Sequence, residues 1–135
     1  MNVLEKIIAH KQKEVKAQSM IIPIDRLKNS QRLFNIRDFK QALQGDDIQI
    51  IAEIKRRSPS EDNIMRDVDP ATVAVSYQVN GASAISVLTD QHYFGGHIDF
   101  IQQVKTVVKL PILRKDFIVS EYQVWESFYT GADAI

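Results

Sequence analysis

Cysteine is absent from the chain, which excludes a disulfide framework and any thiolate metal site and fits a reducing compartment. Net charge is absent too, because 17 Lys and Arg balance 17 Asp and Glu. The usual electrostatic footprint of a nucleic-acid or anionic-membrane binder is therefore missing. No long apolar run occurs: the most apolar stretch, Ile48 to Ile54, is broken at Glu53, far short of the roughly 18 residues of a membrane span. An export signal is not expected, since Met1 to Ala17 mixes apolar residues with Glu5, Lys6, Lys11, Lys13, Glu14 and Lys16, where a secretory peptide needs an unbroken apolar centre. There is no glycine-rich phosphate loop, and His10, His92 and His97 lack metal-ligand spacing and read as surface residues. What is present, 135 residues at 44% hydrophobic and 25% charged, is the composition of one globular domain large enough to bury a core without staples. A cytoplasmic protein is expected.

Asn2 is placed to cap a helix whose positions Val3, Leu4, Ile7, Ile8 and Val15, with the stem of Lys11, form one buried stripe. The helix is expected to reach about Gln18, with Pro23 ending the extended stretch that follows. Leu33, Ile36, Phe39, Ala42 and Leu43 predict a second, shorter helix closed by Gly45. Residues 1–47 thus read as a helical extension. From Ile48 the rhythm changes. Ile48 to Ile54 is short, β-branched and nearly all apolar, as in a strand covered on both faces. Ala71 to Val79 predicts a helix with Pro70 in its first turn and Gly81 past its end, and Ala84 to Leu88 a second strand. Ile98, Ile101, Val104, Val107 and Val108 mark another helix, and Pro111 to Arg114 a third strand. Tyr122, Trp125, Phe128 and Tyr129 mark a last helix, started by Ser120 and Gln123 as a capping box.

Gly81-Ala82-Ser83-Ala84-Ile85 and Gly131-Ala132-Asp133-Ala134-Ile135 match at four of five positions, each just after a helix. A module is repeating, so the second copy should open a fourth strand. Short apolar strands alternating with helices imply a parallel sheet with right-handed crossovers. Three and a fraction such units are too few to close a barrel of eight. The fold expected for residues 48–135 is α/β, an incomplete (half) TIM (β/α)8 barrel.

In parallel α/β folds the site lies at the carboxyl ends of the strands. The first strand ends Ala52-Glu53-Ile54-Lys55, where alternation puts Glu53 and Lys55 on one face, opposite Ile54. Charges on a buried strand are costly unless paired or functional, and this pair reads equally well as a structural salt bridge or as part of a site. The third strand ends Leu113-Arg114-Lys115-Asp116-Phe117, again placing cations where an anionic substrate would sit. Two strand ends each offering a lysine, one beside a glutamate, could bind phosphate or carboxylate and lend a proton. After the second strand, Val87-Leu88-Thr89-Asp90, comes Tyr93-Phe94-Gly95-Gly96; by position alone such aromatics pack on their own scaffold more often than on a ligand. Lys55-Arg56-Arg57-Ser58-Pro59-Ser60 admits three readings: a nucleic-acid patch, a kinase site, or an anion-binding loop over the site. The balanced charge gives the first thin support.

These motifs together resemble the amino-terminal half of the indole-3-glycerol phosphate synthases, (β/α)8 enzymes of tryptophan biosynthesis. The resemblance rests on Ile51 to Ser60, Ala84 to Asp90, Tyr93 to Gly96, Leu110 to Phe117 and Gly131 to Ile135, with Leu4-Glu5-Lys6-Ile7-Ile8 resembling the extension before the barrel. After Ser60 this chain has Glu61-Asp62-Asn63 where many relatives have a lysine and a glycine. The family converts 1-(2-carboxyphenylamino)-1-deoxyribulose 5-phosphate to indole-3-glycerol phosphate with loss of carbon dioxide and water, and uses no metal or organic cofactor. By resemblance Lys115 is the general acid at the ketose oxygen, Glu53 orients the lysines, and Lys55 meets the substrate's anionic groups. Ser58 would lie near the anthranilate carboxylate, with Phe94 and Phe117 walling the aromatic ring.

The resemblance also implies that later strands supply a glutamate base, an asparagine and the backbone amides that hold the phosphate. These 135 residues alone are accordingly expected to have little or no activity. The alternative is a non-catalytic half-barrel that self-associates, as a homodimer or larger, through exposed strand edges and inner face. Another phosphate-binding barrel enzyme of the same pathway is disfavoured by the combination of Glu53, Lys55 and Lys115.

Overall fold

A computed structural model describes residues 1–135. The element order is α1 (Val3–Ile21), α2 (Ile24–Asn29), α3 (Phe39–Ala42), β1 (Ile51–Ile54), α4 (Pro70–Val79), β2 (Ala84–Leu88), α5 (Asp99–Val107), β3 (Ile112–Lys115) and α6 (Glu121–Thr130). The three strands pair in parallel in the order β1-β2-β3, with Ile54 beside Val87 and Leu88 beside Lys115. Ile54, Ile85, Val87 and Ile112 face α4 and α5, where Val73, Ala74, Ile101, Val104 and Val108 complete the core. No helix is long and apolar enough to cross a membrane.

The strand-helix alternation follows the sequence pattern, and several local expectations do not. Asn2 caps α1 in a reciprocal pair with Glu5, and the helix runs on to Ile21 rather than stopping at Gln18. Pro23 begins a helix instead of ending an extended stretch: α2 starts on it, with Asp25 in the first turn and Arg26 and Lys28 in the last, the charge order that a helix dipole favours. The helix expected over Leu33 to Leu43 shrinks to the single turn Phe39–Ala42, and Leu33 and Ile36 are exposed. The arginine contacts described below hold that stretch open. Strand β1 starts at Ile51, not Ile48, and only β2 is buried along its whole length. The inner face of β1 carries Ile51 and Glu53, followed just past the strand by Lys55, all partly exposed. Ser120 caps α6 through the Tyr122 amide, but the capping box does not form, because Gln123 Oε1 accepts the Val119 N–H instead.

The repeated module is realised in the backbone. The Ser83 N–H donates to Ile50 O and Ala84 pairs with Ile51; equivalently, the Asp133 N–H donates to Ile112 O and Ala134 bridges Leu113 in parallel. The third residue of the module differs, and with it the job. Ser83 Oγ donates to Gln49 Oε1 at 2.6 Å. The fully buried Asp133 carboxylate accepts from Lys105 Nζ at 2.8 and 2.7 Å, the Ile112 N–H at 2.8 Å, the Arg37 N–H at 2.8 Å and Arg32 Nη2 at 3.2 Å. Arg32 also donates to the carbonyls of Phe128, Gly131 and Ala132, and Arg37 to those of Leu110 and Lys105. Asp133 therefore fastens the amino-terminal arm across the end of the sheet where strands begin.

Candidate active site

At the opposite end, alternation delivers Glu53 and Lys55 to the inner face of the sheet, opposite the buried Ile54. Their side chains pair at 3.3 Å, each about one-third exposed (33% and 35%). Ser86, the register partner of Glu53 on β2, donates its hydroxyl to Glu53 Oε2 at 3.1 Å, and the Tyr77 hydroxyl donates to the Glu53 carbonyl at 2.8 Å. The glutamate is thus fixed from the side and from beneath, while its ammonium partner stays open to solvent. Lys115 ends β3 as an exposed cation in register with Leu88. The glutamate contacts Lys55 and not Lys115.

Phe94 and Phe117, on the loops after β2 and β3, approach with ring centroids 6.0 Å apart at an interplanar angle of 41°. Ser58 lies in an exposed turn closed by paired backbone bonds with Glu61, and its hydroxyl accepts the Glu61 N–H and faces Ser60 Oγ. The other basic residues turn away. Arg56 donates to Val68 O and covers the Phe100 ring; Arg57 donates to the Gln91 and His92 carbonyls. Lys55, Arg56 and Arg57 therefore do not form one basic patch.

Arg114 is the clear misplacement. Adjacent strand residues point to opposite faces, so with Lys115 inward Arg114 points outward. It is buried against α6, where it bonds Glu126 at 2.8 Å, Ser127, Thr89 and Asp116. It offers nothing to a ligand on the inner face. His10 and His92 lie at the surface as expected, where their rings stack with centroids 4.3 Å apart. No group of three or more His, Cys, Asp and Glu side chains could hold a metal ion.

Three residues that sequence patterning does not single out organise the loops. Lys11, treated above as an apolar stem, is 1% exposed, and its Nζ lies 2.7 Å from Asp90 Oδ1 and 3.1 Å from Asp116 Oδ1. Burial alone would lower the Lys11 pKa; the hydrogen bond and charge of Asp90, with the charge of Asp116, outweigh it and hold the pKa above the ordinary 10.5. Burial would likewise raise that of Asp116, but the Thr89 hydroxyl, Arg114 and Lys11 hold it below the ordinary 3.8. The signal available in the sequence was a lysine on the buried stripe of an amphipathic helix.

Gly96 closes the Phe94 loop by donating its N–H to Asp90 O at 2.8 Å. A Cβ there would stand 2.2 Å from Leu88 O, a backbone atom. Gly96→Ala should therefore destabilise the fold by about 1–3 kcal/mol, the usual cost of overpacking. Chemical denaturation will check this, and an unchanged midpoint would show that the loop gives way freely.

A sequence profile described as "Indole-3-glycerol phosphate synthase" matches residues 4–135. The chain belongs to the indole-3-glycerol phosphate synthase family. A protein of that name from Chlorobium phaeovibrioides is 46% identical over 138 residues, covering 100% of this chain and 54% of the relative. Another from Thermoanaerobacter pseudethanolicus is 45% identical over 98% of this chain and 51% of its own length. A third from Bacteroides thetaiotaomicron is 42% identical, over 99% and 52% respectively. The chain spans about half the length of these curated relatives. The indole-3-glycerol phosphate synthases are carboxy-lyases of tryptophan biosynthesis built on TIM barrels, and three parallel strands with intervening helices are consistent with part of such a barrel.

Proposed function

We propose that this chain provides the amino-terminal half of an indole-3-glycerol phosphate synthase, with residues 1–47 as a helical extension and residues 48–135 as the first half of the barrel. The single observation that supports this is the Glu53–Lys55 pair on the sheet face that alternation also assigns to Lys115, with the paired Phe94 and Phe117 rings on the loops after β2 and β3. Ring closure of 1-(2-carboxyphenylamino)-1-deoxyribulose 5-phosphate requires an acid at the ketose oxygen. Lys115, exposed at the end of β3, is that acid. Lys55 meets the anionic groups of the substrate, held in place by Glu53, which Ser86 and Tyr77 support. Phe94 and Phe117 wall the aromatic ring, and Ser58 binds its carboxylate from the β1–α4 loop. The reaction needs no metal or organic cofactor in this reading. The site belongs to a cytoplasmic enzyme with a small phosphorylated substrate and no nucleic-acid partner.

The test is turnover by two proteins: these 135 residues alone, and the same residues fused to the second half of the Chlorobium phaeovibrioides relative. The expected result is product from the fusion and at least 10²–10⁴-fold less from the chain alone, the factor typical of losing one positioned acid-base group. A folded fusion without turnover overturns the assignment. Comparable turnover by the shorter protein overturns the division of labour between the halves.

A second reading is favoured by the exposure of Ile48, Ile50 and Ile51 beside an unpaired strand edge. Such surfaces invite association, so the 135-residue chain is a non-catalytic module that covers this face with another copy. Light scattering on the same sample separates a dimer from a monomer.

A further inference from the structure

We infer that Lys11, on the first helix of the extension, is a positioning residue that sets the spacing of the Phe94 and Phe117 loops; its relevance to catalysis rests on the function proposed above. One ammonium joins the carboxylates from which the two loops depart. Asp90 Oδ2 accepts the Tyr93 N–H at 2.8 Å and Asp90 O accepts the Gly96 N–H at 2.8 Å, so both ends of the Phe94 loop return to Asp90. Asp116 follows Lys115, and its Oδ1 accepts the Phe117 N–H at 2.7 Å while its Oδ2 accepts the Thr89 hydroxyl at 2.6 Å. Between them Lys11 Nζ lies 2.7 Å from Asp90 and 3.1 Å from Asp116, all three side chains at most 2% exposed.

A buried ion triad is a poor device for stability, because desolvation offsets most of the attraction and an apolar side chain would do as well. What the triad supplies is geometry. Without the ammonium, Asp90 loses its only ionic partner while Asp116 keeps Arg114 at 3.3 Å and the Thr89 hydroxyl, so the link between the two carboxylates is lost, and separation or protonation of Asp90 shifts the amides it holds. Those amides belong to the turn that presents Phe94. Lys11 Nζ pairs with carboxylates, Glu14 at 3.2 Å being the third.

The test uses the full chain with labelled phenylalanines, comparing wild type, Lys11→Met and the charge-retaining Lys11→Arg. Lys11→Met should lose the nuclear Overhauser cross-peaks between the Phe94 and Phe117 rings while keeping those among Ile54, Val87 and Ile101; Lys11→Arg should keep both sets. If Lys11→Met does not fold, Asp90→Asn, which preserves size and weakens the same bridge, is read in its place. Ring cross-peaks that survive in the folded variant overturn the inference. In the fusion, kcat/KM should fall by on the order of 10²-fold, the scale of a small misplacement remote from the reacting atoms, mostly through KM. Lost cross-peaks with unchanged kcat/KM would also overturn the role. A wild-type fusion with no turnover counts against the proposed function instead, and the cross-peaks still decide the positioning.

Discussion

Asp133→Ala should destabilise the chain severely at neutral pH. The carboxylate is fully buried, and its loss strands the Lys105 ammonium, also fully buried, and the Arg32 guanidinium, 8% exposed. Breaking a buried ion pair by removing one partner costs about 3–5 kcal/mol, a large share of the roughly 5–15 kcal/mol that holds a typical domain together. The loss should also depend on pH. Burial lowers the Lys105 pKa from the ordinary 10.5, the Asp133 hydrogen bond and charge partly oppose this, and Arg37 and Arg32 lower it further. The folded chain thus holds this proton less tightly than the unfolded chain, and the contribution of Lys105 to stability rises as pH climbs through the lowered folded-state pKa toward 10.5. Removing Asp133 removes the opposing terms, so the rise should begin nearer neutrality in the variant. Urea unfolding followed by Trp125 fluorescence at several pH values measures both effects. A loss below about 1 kcal/mol, the scale of an exposed pair, would mean that the clamp is solvated.

The second large effect is chemical. In the fusion, Lys115→Ala should lower kcat by about 10²–10⁴-fold, the contribution of a positioned general acid, with KM changed far less because the proton is delivered in the transition state. Lys55→Ala should instead act mainly on KM. Steady-state kinetics of the two variants separate the roles: equal losses in kcat would remove the assignment of Lys115 as the acid. Alanine at Lys115 should leave stability nearly untouched, since the side chain is exposed at a strand end.

The strands, the parallel sheet and the Leu113–Ala134 bridge were legible because each depends on local periodicity or on the repeated Gly-Ala-X-Ala-Ile module. Glu53 and Lys55 were legible for the same reason, as alternation on a short strand leaves a residue no choice of face. Arg114 yields to the same rule, applied on a later strand: with Lys115 toward the inner face, its neighbour had to point at α6. The α2 helix was hidden because Pro23 can either end an extended stretch or begin a helix. The two buried clamps were hidden for a deeper reason. Lys11 meets Asp90 and Asp116, and Arg32 meets Asp133, across separations that no window along the chain samples. Patterning treats a lysine or an arginine as solvated, and only the tertiary partner shows that it is not.

The clamp on Asp133 also bears on the order in which the molecule is made. Arg32 reaches residues 96 to 101 positions further along the chain. Closing so long a loop is entropically costly and brings no return until both ends exist. On the ribosome, synthesis runs at about 5–20 residues per second, so for several seconds the arm from Ser30 to Asp38 has nothing to bind. The earlier strands can pair with their neighbours in sequence during that interval. Docking of the arm must then wait for the emergence of Asp133, and a nascent chain stalled before that residue should still expose Arg32 and Arg37 to protease.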